Sequence, residues 1–170
     1  MPKRLLKNSL VRAGISLGIC LLAGYIGSIY AIPAIRSWGS SLNKPDLIPP
    51  NSLIIPIGII LYILLGLALF CIWQADLSKK DTMTCFQLFI FGLVLNVLWV
   101  YVFFGLMSPF FGFIIMVMLL AILCSTILQS LRVSIAATFL LTPYLIVSII
   151  VAYLDFMIYI MNPNLPVLVI

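Results

Sequence analysis

Thr82–Leu131 reads TMTCFQLFIFGLVLNVLWVYVFFGLMSPFFGFIIMVMLLAILCSTILQSL, 50 residues without one charged side chain. Drawn out as a single helix it would be about 75 Å long at ~1.5 Å per residue. That is more than twice the ~30 Å of hydrocarbon in a bilayer, so the stretch has to fold back on itself. GLMSPFFG, Gly105–Gly112, supplies the glycines and proline for a tight reversal. Two spans are expected, at about 85–104 and 109–131.

The flanking sequence repeats the pattern. Upstream, DLSKKD (Asp76–Asp81) is a polar turn, and Ser52–Ala75 is free of charge. Before it lies Val11–Ile35. Downstream, Arg132 marks a turn, and Ser134–Met161 forms the last span, ended by Pro163 and Pro166. The expected spans are therefore about 11–35, 52–75, 85–104, 109–131 and 134–161. Open strands would leave backbone groups unpaired in lipid, and these segments are too long and too uniformly apolar for barrel strands. The expected fold is an all-α membrane protein. It is a bundle of five transmembrane helices in one domain, 1–170, with a long loop between helices 1 and 2.

Composition agrees. The chain has 170 residues, 65% hydrophobic and 8% charged, against about 25% charged in an ordinary soluble domain. Glutamate and histidine are absent, and the acids are Asp46, Asp76, Asp81 and Asp155. Without histidine, the commonest metal ligand and the usual acid–base catalyst are missing, so neither a metal site nor a catalytic residue is expected. The net charge of +5 comes from a few scattered basic residues, which read as topology signals rather than a nucleic-acid surface. Cys20, Cys71, Cys85 and Cys124 form no C-x-x-C pair. They read as small buried hydrophobes, with a disulfide or metal site as the other reading.

MPKRLLKNSLVR resembles the charged start of a secretion signal, but the following uncharged run, Ala13–Ile35, is long enough to span. It is expected to stay as the first helix. Lys3, Arg4, Lys7, Arg12, Lys79, Lys80 and Arg132 fall on the N-terminal side, Arg36 and Lys44 on the other. This asymmetry puts the N-terminus in the cytoplasm, with the cell membrane as location if the source is bacterial. Gly14 and Gly18, Ala23 and Gly27, and Ala121 and Ser125 recur at four-residue spacing. They serve either packing within the bundle or a dimer face.

WGSSLNKPDLIPPN, Trp38–Asn51, is the polar, proline-bearing connector between spans one and two. Proline fixes φ and restricts its predecessor, so a segment carrying Lys44–Pro45 and Pro49–Pro50 is stiff and loses less entropy on closing over a cavity. It is expected to act as a lid, with Trp38 anchored at the membrane interface.

Several motifs follow one another in order. The connector has W, LNKP and PP. Span two adds Pro56 and Leu61–Tyr62. LNVLW (Leu95–Trp99) and FFG (Phe103–Gly105) are in span three, and PYL (Pro143–Leu145) is in span five. No one of these is specific, but the ordered set over Trp38–Met161 resembles the TspO/MBR family, the tryptophan-rich sensory proteins and the mitochondrial translocator, or peripheral-type benzodiazepine receptor, proteins. The resemblance implies a five-helix bundle, often a homodimer, with a cavity opening toward the connector. It implies porphyrin or other tetrapyrrole, sterol or drug ligands, with no required cofactor. The implied roles are transport, stress signalling, or light-dependent porphyrin degradation.

The periodicity is consistent with such a cavity. At about 100° per residue, Gly92, Asn96, Trp99 and Phe103 share one stripe, as do Tyr144, Val147, Val151 and Asp155, and Gly58, Tyr62, Leu65 and Leu69. Facing inward, they make an apolar, aromatic-walled site for a flat hydrophobic ligand; facing otherwise, the aromatics are packing or interface anchors. A polar group in hydrocarbon is costly unless paired. Asn96 therefore bonds either a connector group or ligand, or a neighbouring helix. Asp155 is either a solvated helix-end residue or a polar point of the cavity. Lys44 and Arg36 either meet porphyrin carboxylates or touch lipid headgroups. The candidate ligand-binding set is Trp38, Lys44, Pro45, Leu47, Gly58, Tyr62, Asn96, Trp99, Phe103, Tyr144, Val147 and Asp155.

The chain also departs from the family pattern. Gly39 stands where Trp-Tyr would have its tyrosine, and Leu47, Gly58 and Val147 stand where tryptophans are usual. Gly92 replaces a glutamine and Asp155 an asparagine. Aromatic contacts contribute about 0.5–1.5 kcal/mol each beyond area burial, so several losses weaken a planar ligand by roughly 10- to 100-fold. The losses also argue against photochemical porphyrin breakdown. No Lys or Arg follows Tyr153 or Tyr159, so the cholesterol-recognition pattern is missing. The expected function is a membrane translocator or sensor binding a tetrapyrrole-like ligand. The alternatives are a light-dependent porphyrin-degrading enzyme, and a structural or interaction protein whose pocket is lost.

Overall fold

The computed structural model describes residues 2–45 and 47–164, with the backbone alone for 2–8 and Asn51. Asp46 and Pro166 therefore lie outside the described residues. The elements are α1 (Pro2–Arg36), α2 (Trp38–Ser41), α3 (Asn51–Gln74), α4 (Lys80–Val100), a π-helical turn (Tyr101–Gly105), α5 (Pro109–Val133) and α6 (Ile135–Met161). Among the described residues, five segments are long and apolar enough to cross a membrane: Ser9–Arg36, Ser52–Gln74, Lys80–Gly105, Pro109–Val133 and Ile135–Met161. Their outward surface is apolar, with Leu10, Leu128 and Phe139 among the large exposed side chains. Lipid is the solvent such a surface requires.

The sequence-based bounds sit within a few residues of these helices, with two larger differences: α1 begins at Pro2, well before the expected 11, and α4 begins early as well. α4 begins at Lys80, a turn before the expected Cys85, because Lys80–Thr84 extend the helix beyond its apolar run. The connector also holds a short helix, α2, which stiffness arguments did not anticipate.

The expected reversal at Gly105–Gly112 occurs, by a different device. The last turn of α4 widens to π geometry, with Leu106 N–H donating to the Tyr101 carbonyl at 3.0 Å. The left-handed residue is Met107 (φ 51°) rather than a glycine. The glycines instead allow close approach. A Cβ on Gly112 would lie 2.6 Å from Phe103 Cδ2. Pro109 then starts α5, where a missing N–H costs nothing. Between α5 and α6 a single residue, Ser134, makes the turn, its hydroxyl accepting from Ala137 N–H at 3.4 Å. In the turn after α3, the Ser78 hydroxyl and backbone N–H both donate to Asp76 (2.8 and 3.0 Å) and hold its carboxyl below the ordinary range.

The helices form a ring: α1 packs on α3, α3 on α6, α6 on α5, α5 on α4, and α4 with its π turn back on α1. At the N-terminal end, Arg12 Nη1 donates to the Trp73 carbonyl (3.0 Å) and Gln74 Nε2 to Ser9 Oγ (2.5 Å), pinning α1 to α3. That half of the ring is filled by side chains including Cys20, Leu69, Ile72, Cys85, Ala137 and Leu141. Leu69, expected on the cavity stripe of α3, is part of this core instead. The connector half of the ring is not filled.

Candidate functional site: a cavity under the connector

A cavity of about 510 Å³ occupies the connector half of the bundle. α3, α4, α5, α6 and the connector wall it, and Ile35 touches it from α1. Its size falls in the range usual for small-molecule sites.

The floor is a hydrogen-bonded chain across three helices. Tyr62 Oη on α3 donates to Asn96 Oδ1 on α4 (2.5 Å), and Asn96 Nδ2 donates to Tyr144 Oη on α6 (2.7 Å). Asn96 is 7% exposed and Tyr144 8%. Of the two readings for Asn96, the helix–helix one holds, and the amide still borders the cavity. The chain follows from cost: a buried amide without partners loses about 1–3 kcal/mol, and two phenols on neighbouring helices are the groups within reach.

About three turns further along α6, Asp155 faces the same cavity. It is 2% exposed, and its Oδ2 accepts from Trp99 Nε1 at 2.7 Å. It is therefore a polar point of the cavity, not a solvated helix end. Phe103 stacks at a tilt on Trp99 (5.9 Å) and edge-on against Phe104 (4.8 Å). The π turn carries both phenylalanines.

The connector covers one end of the cavity. Leu42, Lys44, Leu47, Ile48 and Pro49 all border the cavity. Trp38, expected as an interface anchor, packs edge-on against Phe103 (5.7 Å) and lines the cavity too. Asn43 and Asn162 clamp this segment to the end of α6. Asn43 N–H donates to Asn162 Oδ1, and Asn162 Nδ2 donates back to the Asn43 carbonyl, both at 2.9 Å.

Eleven of the twelve candidate residues border this one space. Pro45 does not. It shapes the connector instead, its carbonyl accepting from Ile48 N–H at 3.2 Å. Gly92, on the expected stripe of α4, borders a separate void of about 20 Å³ with Leu119 and Thr126. Gly58 and Val147 do face the main cavity, and nothing lies within 4 Å of a Cβ added to Gly58. Arg36 is exposed and off the cavity wall. Sequence reasoning missed Leu154 and Ile158, although both continue the α6 face one turn at a time. It also missed Met116, on a helix apolar all round, where no stripe stands out. Asn162 was missed as well, being taken for the tail after the last span.

Comparison with known proteins agrees with this architecture. The sequence profile of the TspO/MBR family matches residues 16–161. The chain is 34% identical over 159 residues to the tryptophan-rich protein TspO of Chlorobaculum tepidum, covering 93% of this chain and 100% of that one. It is 32% identical over 142 residues to the TspO protein of Archaeoglobus fulgidus (84% and 91% covered). It is 26% identical over 145 residues to protein CrtK of Rhodobacter capsulatus (85% and 89% covered). Five membrane-length helices, the ordered motifs and a profile match across nearly the whole bundle lead to one assignment: this chain is an integral membrane protein of the TspO/MBR family.

Proposed function

We propose that this protein is a translocator or sensor that binds a hydrophobic ring compound, such as a tetrapyrrole, in the cavity under the connector. One observation carries the reading. The space is about 510 Å³, almost wholly apolar, and bordered by Trp38, Trp99, Phe103 and Phe104 at one side and by a tyrosine–asparagine floor at the other. That combination suits a flat, mostly apolar molecule with a few polar edges. The same cavity argues against a scaffold whose pocket has been lost. In this reading the N-terminus lies in the cytoplasm, on the side richer in Lys and Arg, and the connector faces outward.

The test is a titration of purified protein with protoporphyrin, followed by tryptophan quenching. Saturable quenching is expected in the wild type. Gly58→Phe, which puts a ring into the open space beside α3, is expected to weaken it by about tenfold or more. Quenching that never saturates, or that is the same in the filled variant, would reject the proposal.

A further inference from the structure

The cavity wall carries one basic and one acidic side chain among the described residues, Lys44 and Asp155, and they sit in different settings. Lys44 belongs to the connector, is half-buried, and has its Nζ beside Gly39. Asp155 lies on α6 within the span, 2% exposed, on a wall otherwise formed there by Val151, Leu154 and Ile158. Trp99 is its one polar partner among the described residues, and it occupies Oδ2. A neutral indole N–H satisfies one acceptor and brings no countercharge. The remaining oxygen, Oδ1, is an acceptor on the wall of an apolar cavity.

We infer that Asp155 is a charge-selecting recognition residue: its second carboxyl oxygen takes an N–H or ammonium donor of the ligand. This rests on the cavity being a ligand site. The class of occupant is then narrower than any hydrophobic ring compound. It is an apolar ring system carrying a donating or cationic nitrogen at the Asp155 end. A carboxylate-bearing ligand has to turn that group away, toward Lys44. The reason is electrostatic. In a low-dielectric site an ionised carboxylate is stabilised by a cation or donor and a second carboxylate beside it is repelled, and both effects are far larger there than in water. The indole of Trp99 keeps the Asp155 carboxyl oriented, so the acceptor is in place before the ligand arrives.

Three matched probes test this in zwitterionic detergent: pyrene, 1-pyrenemethylamine and 1-pyrenecarboxylate. Binding is read by energy transfer from tryptophan, with the signal of the cavity-filled Gly58→Phe protein subtracted. The amine is expected to bind about tenfold or more tighter than the carboxylate, with pyrene between them. Asp155→Asn is expected to bring the three within about twofold of each other, and Asp155→Glu to keep the order. Saturable binding of all three with equal affinity in the wild type overturns the role of Asp155 while leaving the cavity reading intact. An amine preference that survives Asp155→Asn overturns it too. No saturable binding of any probe brings down both the cavity reading and this one.

Discussion

Asn96 owes its place to having two partners at once. Tyr62 donates to its carbonyl and its amide donates to Tyr144, so each polar atom of the side chain is used. Removing it strands two phenols at the floor of the cavity. Asn96→Leu is expected to destabilise the protein by about 1–3 kcal/mol, read as a lower midpoint in thermal unfolding in detergent. Tyr62→Phe should cost less, and its effect should largely vanish in the Asn96→Leu background. A double-mutant cycle checks this, because both changes act on one network. Asn96 was legible in the sequence as a polar group that had to face inward, whereas Tyr62 and Tyr144 lay on stripes that could equally have been packing or interface anchors. The pairing of the three with one another was not legible, since spacing along a helix says nothing about which helix lies opposite.

The contact of α1 with α3 depends on glycines. A Cβ on Gly66 would lie 2.9 Å from the Leu17 Cα, and one on Gly24 would lie 2.6 Å from the Tyr62 ring. The first obstacle is backbone, so Gly66→Ala forces the helices apart. It is expected to cost about 1–3 kcal/mol, measured as loss of thermal stability. Gly14 and Gly18 have nothing within 4 Å of an added Cβ, so Gly14→Ala in the isolated protomer should change the midpoint little. The four-residue spacing of Gly14–Gly18 thus does not mark contact within this bundle, whereas Ala23 and Gly27 are buried in it. Gly66, which the spacing rule passed over, is the close approach.

Closure of the cavity is a property of the molecule as a whole. The connector is joined to α6 by residues 119 apart in the chain, Asn43 and Asn162. Asn162 Nδ2 also donates to the Ile158 carbonyl at 2.8 Å, so the clamp grows directly from the last turn of α6. Asn162→Ala removes these bonds and should loosen the lid without unfolding the bundle. Amide hydrogen exchange at residues 43–48 is the measurement, with faster exchange expected there and unchanged protection across α3 and α4. Ligand association, followed by stopped-flow quenching, should quicken in the same variant if the lid limits entry.

The number of helices, their approximate ends and the lipid environment were written in the chain, because the run lengths and near-absence of charge leave one solution to backbone hydrogen bonding in a bilayer. On α3, α4 and α6 the stripes were legible, because polar and aromatic residues stand out on helices that are otherwise uniformly apolar, but whether they faced a cavity or served as packing and interface anchors was left open. What emerged from folding alone was the division of the ring into a filled half and a hollow half. Leu69 and Ile72 continue down α3 with the same chemistry as Leu61 and Leu65, which border the cavity, and nothing local says where packing stops. The Asn43–Asn162 clamp and the Trp99–Asp155 bond are equally non-local. A cavity is the space left between side chains of different helices, and that space is set by how they meet.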